Sequence, residues 1–492
     1  MLPVVEAAGG VIPRRKNLTM NRRTFFSAGV NGGRSRSVGS PERADPIYPG
    51  GFDEPGDLAG VYNDKVAAML RRIRRTQSAK ILEAAHAVAE RVMRGSACWF
   101  VWDMGHSTTF DLGPDRPGVP EIVTVGFDAD KARDGDMFFA NVWRGSRAPL
   151  ESKDILVVGS PVPYSQDAAD SHLIVEAIAQ HRIRPYADIW IETYMHTLGA
   201  VVRVKGMPAP VGATSGILGI VVFWMIMADA CRILARAGHP VPVRGGALGK
   251  PPSPGTINLD APLMGSYFDT VMKQFEMIGA EAGDIRAAGA MAVDSVLDGR
   301  TVYCWSRHNS AISSEGHCRR AGLALMQGIY DREGGQVTQR ITFEDHRFRH
   351  TTQPFEGRAG DTVFVGAFEP DNPDDLAMID RFHGLGMNVA TFGPLTRNGQ
   401  IPAGRTVASS AEIHVGRMSD TEGLFALPGF ERRVCPASGA LLMQTFWASN
   451  LAIVDEIIHR TGDVPGVYYS AEIAGGAEYL NRMLMMYEER GY

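Results

Sequence analysis

Apolar positions along this chain fall into two recurring patterns. From about Asp57 to Arg94 they alternate with charged positions at helical spacing, leaving Arg71, Arg72, Arg74 and Arg75 on a solvated face. Trp99 to Trp102, Met137 to Ala140 and Ile155 to Val158 are instead short, continuously apolar runs, as strands covered on both faces should be. A helix through Ile174 to Ala179 and a strand at Ile189 to Ile191 follow, and the apolar run from Ile217 to Met227 predicts a buried helix. Strand, helix and strand in succession predict a parallel sheet with right-handed crossovers.

Beyond a Pro- and Gly-rich stretch from His239 to Leu263 the plan starts again. A helix is predicted from about Tyr267, a strand at Val302 to Trp305, a helix at Glu315 to Tyr330 and a strand at Thr362 to Val365. The helix Asp374 to Leu385 and the strand Val389 to Thr391 complete it, with the alternating segment Gln336 to Gly357 as an inserted strand. Landmarks repeat in order: Ser215-Gly216 precedes Phe223-Trp224 as Ser438-Gly439 precedes Phe446-Trp447, and Tyr62-Asn63-Asp64 finds its echo in Tyr267-Phe268-Asp269. Lys153 to Gly159 reads as the counterpart of Gly360 to Gly366, and a serine, Ser107 or Ser310, follows the first strand of each half. A tandem duplication of one α/β unit accounts for this order. The expected boundaries are a tail at 1–56, a first domain at 57–245, a linker at 246–264 and a second, decayed domain at 265–492.

The net charge of −5 argues against a general nucleic-acid binder, which needs a basic face. The five cysteines are scattered, three of them in apolar segments, as reduced core cysteines would be, so a cytoplasmic location is expected. The alternative is export, since Asn21-Arg22-Arg23-Thr24-Phe25-Phe26 resembles a twin-arginine signal starting near Met20; the Gly- and Arg-containing stretch that follows interrupts its apolar part. The run at Ile217 is shorter than a bilayer span, and no membrane contact is expected. His346 and His350 lack a third ligand, and no glycine fingerprint for a dinucleotide is present, so neither metal nor cofactor is expected.

In a parallel sheet, ligands bind at the carboxyl ends of strands, where helix N-termini favour anions. Gly105-His106-Ser107-Thr108-Thr109, the stretch from Gly159-Ser160 to Ser165, and Gly212-Ala213-Thr214-Ser215-Gly216 lie at such positions. Together they resemble the phosphosugar-binding sugar isomerase (SIS) family, in its Gly-His-Ser branch, with Val211-Gly212-Ala213-Thr214-Ser215 mirroring that branch's Val-Gly-Pro-Thr-Ser element. The second half resembles the same family through Ser310 and Ser438, but its middle loop, Phe368 to Asp375, carries four carboxylates that would repel a phosphate. The first half departs too, since Pro161 and Pro163 remove backbone donors and Asp111 to Pro117 reads as a loop where the family has a helix.

The resemblance implies two tandem three-layer αβα domains, each a mostly parallel sheet flanked by helices, with homo-oligomers formed through the helices. It implies a phosphosugar or sugar-derivative ligand held by Gly105, Ser107, Thr108, Ser160, Ser165, Thr214, Ser215, Ser310 and Ser438. An aldose–ketose isomerase working through an enediol needs a tuned base, for which His106, Glu192 and Glu315 are the candidates, His106 first. Two alternatives stay open: a non-catalytic binding or regulatory protein that has lost the phosphate site, and an enzyme acting on an unphosphorylated sugar.

Overall fold

The computed structural model describes residues 51–101, 111–113, 116–126, 128, 130–141, 153–160, 187–194, 199–207, 209–245, 257–307, 311–316, 322–344, 347–397, 399–416 and 423–467. The first half opens with a long helix, α1 (Leu58–Met93), followed by β1 (Cys98–Val101), β2 (Thr124–Val125), β3 (Met137–Asn141), β4 (Leu156–Ser160) and β5 (Ile189–Trp190). A two-stranded hairpin of β6 (Ala200–Val202) and β7 (Val211–Ala213) then leads into α2 (Ser215–Arg236). The second half has α3 (Leu263–Ile278) and α4 (Ala282–Leu297) in place of one long helix, then β8 (Val302–Ser306), α5 (Ala311–Gly316) and β9 (Met326–Arg332). After them come β10 (Gly335–Glu344), β11 (Arg347–Pro354), β12 (Thr362–Gly366), α6 (Pro373–Gly384), β13 (Asn388–Phe392) and β14 (Ile413–Val415). The hairpin of β15 (Gly423–Phe425) and β16 (Val434–Pro436) leads into α7 (Ser438–Thr461).

The first sheet runs β2-β1-β3-β4-β5, every pair parallel. In the second, β9-β8-β12-β13-β14 repeats that order in parallel, and β10 and β11 extend it as an antiparallel hairpin beyond β9. This is a doubly wound order, with the switch of direction between the first and third strands of each half. The α/β class expected from the sequence, parallel sheets flanked by helices, is what the chain adopts.

The same backbone bonds recur at the sheets' amino ends. Asp136 Oδ1 accepts from the Ala97 N–H at 2.9 Å and Asp361 Oδ1 from the Thr301 N–H at 2.9 Å. Their second oxygens accept from Arg133 N–H at 2.9 Å and Arg358 N–H at 2.7 Å. One strand further on, Asp188 accepts from Val157 N–H and Glu412 from Val389 N–H, both at 2.8 Å. Before the late helices, Tyr62 donates to the Ala213 carbonyl at 2.6 Å and Tyr267 to the Pro436 carbonyl at 3.2 Å.

These bonds correct one reading. The counterpart of β12 is β3, each introduced by Gly-Asp, and not the segment Lys153 to Gly159, which leads through β4 and answers to β13. Two continuous apolar strands in one half look alike to a pattern; the carboxylate that ties each to its neighbour tells them apart. A second expectation also fails. Instead of a helix from Glu315 to Tyr330, helix α5 ends at Gly316 and Met326 to Arg332 is a strand on the edge of β8, where its buried Met326 and Ile329 add to the core. The hairpin that extends this strand is the inserted segment foreseen near Gln336 to Gly357.

Helices α1, α2, α3, α4 and α7 share one buried core with residues from both sheets, including Phe100, Phe139, Phe364 and Phe392. The repeated dipeptides sit at its centre: Phe223 packs edge-on against Phe100 and Phe139, and Phe446 against Phe364 and Phe392. Helix α2 is apolar on every face from Ile217 to Met227 because it is covered all round, by α1 on one side and α3 on another. It is long and apolar enough to cross a membrane, and 94% of its apolar window is buried inside the protein. Its Asp229 caps the other half's first helix, accepting from Leu263 N–H at 3.1 Å and Met264 N–H at 2.9 Å, so α3 begins at Leu263, within the stretch read as linker. Asp455 of α7 does the same for α1, accepting from Gly56 and Leu58 N–H at 2.7 Å each.

Candidate functional site

Each late helix begins at a buried turn built by its hairpin. In the first half Gly212 takes a left-handed conformation, φ +78°, where a Cβ would come within 2.8 Å of the Tyr62 ring. The Tyr62 bond to Ala213 and a 2.8 Å bond from Thr214 N–H to the Gly199 carbonyl then pin the chain as it enters α2. Thr214 and Ser215 are buried here, and the Thr214 hydroxyl turns to the Gly199 carbonyl at 3.3 Å instead of capping the helix. The first backbone N–H groups of α2 therefore have no side-chain cap from Thr214, and they carry the positive end of a 22-residue helix. Ser160, at the carboxyl end of β4, is fully buried, and its hydroxyl makes no hydrogen bond.

Gly105, His106, Ser107, Thr108, Ser165 and Ser310 lie outside the described residues. Glu192 follows β5, the edge strand, and faces α1: its backbone N–H donates to Gln77 Oε1 at 3.1 Å, and its carboxylate accepts from Tyr194 N–H at 2.9 Å. Burial pushes its carboxyl above the usual range, against the Tyr194 bond. Glu315 is fully buried in the short helix α5.

In the second half the equivalent helix start is already engaged by a residue of the first. Arg116 donates from Nη2 to the Ser438 hydroxyl at 2.7 Å and from Nε to Asp111 at 2.8 Å, and its guanidinium lies 4.4 Å over the Phe368 ring. Asp111 also accepts from Trp224 Nε1 at 2.5 Å. A side chain at Gly439 would collide with the Asp111 carboxylate, so only glycine fits in the first turn of α7. Burial raises the Asp111 carboxyl above its usual range while the Arg116 charge opposes the shift. Asp111 and Arg116 are 1% and 2% exposed, a degree of burial that charged residues tolerate only when paired.

The acidic loop after β12 differs from its sequence reading as well. Three of its four carboxylates are paired: Arg307 and Arg397 meet Glu369 at 3.2 and 3.1 Å, Arg307 meets Asp375 at 3.3 Å, and Arg397 meets Asp371 at 2.8 Å. Burial pushes Asp375 up to about 7, opposed by Arg307 and reinforced by Glu369. Repulsion of a phosphate by four unpaired carboxylates is therefore not the reason this edge differs.

Arg116, Asp111, Arg307 and Arg397 were missed in the sequence because each acts across a long chain separation.

Parallel sheets in doubly wound order, with helix starts and hydroxyls at their carboxyl edges, define an α/β protein of layered αβα architecture. No family model matches the chain. A UPF0309 protein of Streptomyces griseus is 23% identical over 248 residues, which is 47% of this chain and 97% of that protein. The C-terminal domain of glucosamine-fructose-6-phosphate aminotransferase from Francisella tularensis is similar in structure at 11% identity, covering 81% of this chain and 98% of that one with a TM-score of 0.37. A protein from Silicibacter pomeroyi, named for phosphosugar isomerisation, is similar at 10% identity over 82% of this chain and 99% of its own, with a TM-score of 0.39.

Proposed function

We propose that this chain binds a sugar phosphate, or a close sugar derivative, at the carboxyl edge of its first sheet. The observation that carries this reading is the start of α2: buried, opened by Thr214-Ser215-Gly216 and not capped by the Thr214 side chain. The backbone N–H groups and the dipole of a helix start favour an anion there, and hydroxyls add donors without charge repulsion. The unbonded Ser160 hydroxyl at the end of β4 supplies a further donor on the same edge of the sheet. The sequence resemblance supports the same ligand class. Aldose–ketose isomerisation with His106 as the base is the catalytic form of this reading, and binding without turnover is its other form.

The test is a thermal-shift screen against hexose and amino-sugar phosphates, their unphosphorylated parents and inorganic phosphate. A ligand bound by the native state raises the melting temperature by mass action. One sugar phosphate should stabilise the protein where its parent does not, and Ser215→Ala should weaken that binding by about tenfold, the worth of one charge-assisted hydrogen bond. Stabilisation by none of them, or equal binding in the variant, would overturn the assignment.

A further inference from the structure

We infer that the second half also holds an anion site, at the switch point between β8 and β12, and that the chain's own Glu369 occupies it. The chain leaves β8 toward β9 and β12 toward β13, on opposite sides, so a crevice opens between these two strands at their carboxyl ends. Three segments converge there on one carboxylate. Arg307, directly after β8, donates to Glu369 Oε2 at 3.2 Å; Asn372, the cap of α6, donates to the same oxygen at 2.9 Å; and Arg397, beyond β13, donates to Oε1 at 3.1 Å.

Two guanidiniums and an amide from separate loops, clasping both oxygens of one carboxylate, make an arrangement that suits a phosphate or carboxylate ligand. The charges point the same way. Asp375 already faces Arg307 at 3.3 Å and Asp371 already faces Arg397 at 2.8 Å, so each guanidinium has a carboxylate of its own and Glu369 is a third anion bridging the two. Independently, the Ser306 hydroxyl beside Arg307 is 1% exposed and makes no hydrogen bond, while Gly366 across from it leaves the room a Cβ would take from that hydroxyl. A buried hydroxyl without a partner is rare unless a site requires it.

The site is thus built for an anion and filled from within. Removing the occupant should expose it. Inorganic phosphate, titrated against chloride at equal ionic strength, should bind Glu369→Ala at least tenfold more tightly than it binds the unaltered protein, seen as a larger rise in melting temperature. Glu369→Gln, which keeps the site filled, should gain nothing. Because the first half is identical in all three proteins, the differences between them report this site alone. If Glu369→Ala folds poorly, its refolding yield in phosphate should exceed that in chloride. Equal phosphate responses in the three proteins, equal gains in the Ala and Gln variants, or equal refolding yields would each overturn the inference.

Discussion

The two halves agree at one edge of their sheets and differ at the other. At the amino edge, Asp136 and Asp361 tie the third strand of each sheet to the first through the same backbone N–H bonds, and Asp188 and Glu412 tie the fifth to the fourth. At the carboxyl edge, α2 starts at a buried turn with no cap from Thr214, while α7 starts with Ser438 held by Arg116; Ala437 stands where the first half has Thr214. The crevice beside it is spanned by Arg307, Glu369 and Arg397. Backbone donors inside a sheet must be satisfied whatever the protein binds, so the residues satisfying them stay in place. Side chains at the carboxyl edge carry no such constraint, and in the second half they fill that edge with ion pairs.

If the second half's edge has become structural, its buried pairs should govern folding. Asp111→Ala leaves the Arg116 guanidinium uncompensated at 2% exposure and should be the most damaging of these changes, costing about 3–5 kcal/mol. A urea unfolding midpoint measured beside that of the unaltered protein checks it. A loss below about 1 kcal/mol would mean that Arg116 finds another partner, and that the junction is less committed than its burial implies.

The shared amino edge offers a more even comparison. Asp361→Ala strands two backbone N–H groups and should cost about 2 kcal/mol; Asp136→Ala strands two and also frees the Trp99 indole N–H, bonded at 3.0 Å, for about 1 kcal/mol more. Both losses are read from the same urea curves. A silent Asp361→Ala beside a costly Asp136→Ala would break the equivalence of the two frameworks.

Much of this was legible in the chain. The apolar runs placed most of the strands, and Phe223-Trp224 with Phe446-Trp447 located the two core helices because their spacing from Ser215 and Ser438 is the same. What escaped was whatever depends on distant partners. Lys153 to Gly159 and Gly360 to Gly366 are both apolar strands behind a charged turn, and only the tie from Asp136 to Ala97 shows which strand is which. Met326 to Tyr330 reads equally well as the end of a helix or as a strand until β8 and β10 pair with it. The carboxylates after Phe368 look like bare negative charge because Arg307 and Arg397, their counterions, are 62 and 28 residues away from Glu369. At the candidate site, Thr214, Ser215 and Ser160 could be picked by their place before a helix or after a strand, whereas Arg116 meeting Ser438 spans 322 residues and has no local sign.

The smallest expected effect isolates a single dihedral angle. Both hairpins enter their helices through a left-handed residue: Gly212 at φ +78° in the first half, and Cys435 at φ +63° in the second. A side chain other than glycine costs about 1–2 kcal/mol in that conformation, so the second hairpin carries strain that the first does not. Cys435 is fully buried, and burying its thiol offsets part of that cost. Cys435→Gly should therefore stabilise the protein slightly, by no more than about 1 kcal/mol. Gly212→Ala should do the opposite and more strongly, since it adds the strain and drives a methyl group against Tyr62. Opposite signs in one pair of urea curves would show that the two turns are the same device, met once by the residue it needs and once by one it merely tolerates. A destabilised Cys435→Gly would mean instead that the thiol's packing outweighs the strain, and that the second hairpin has settled around its cysteine.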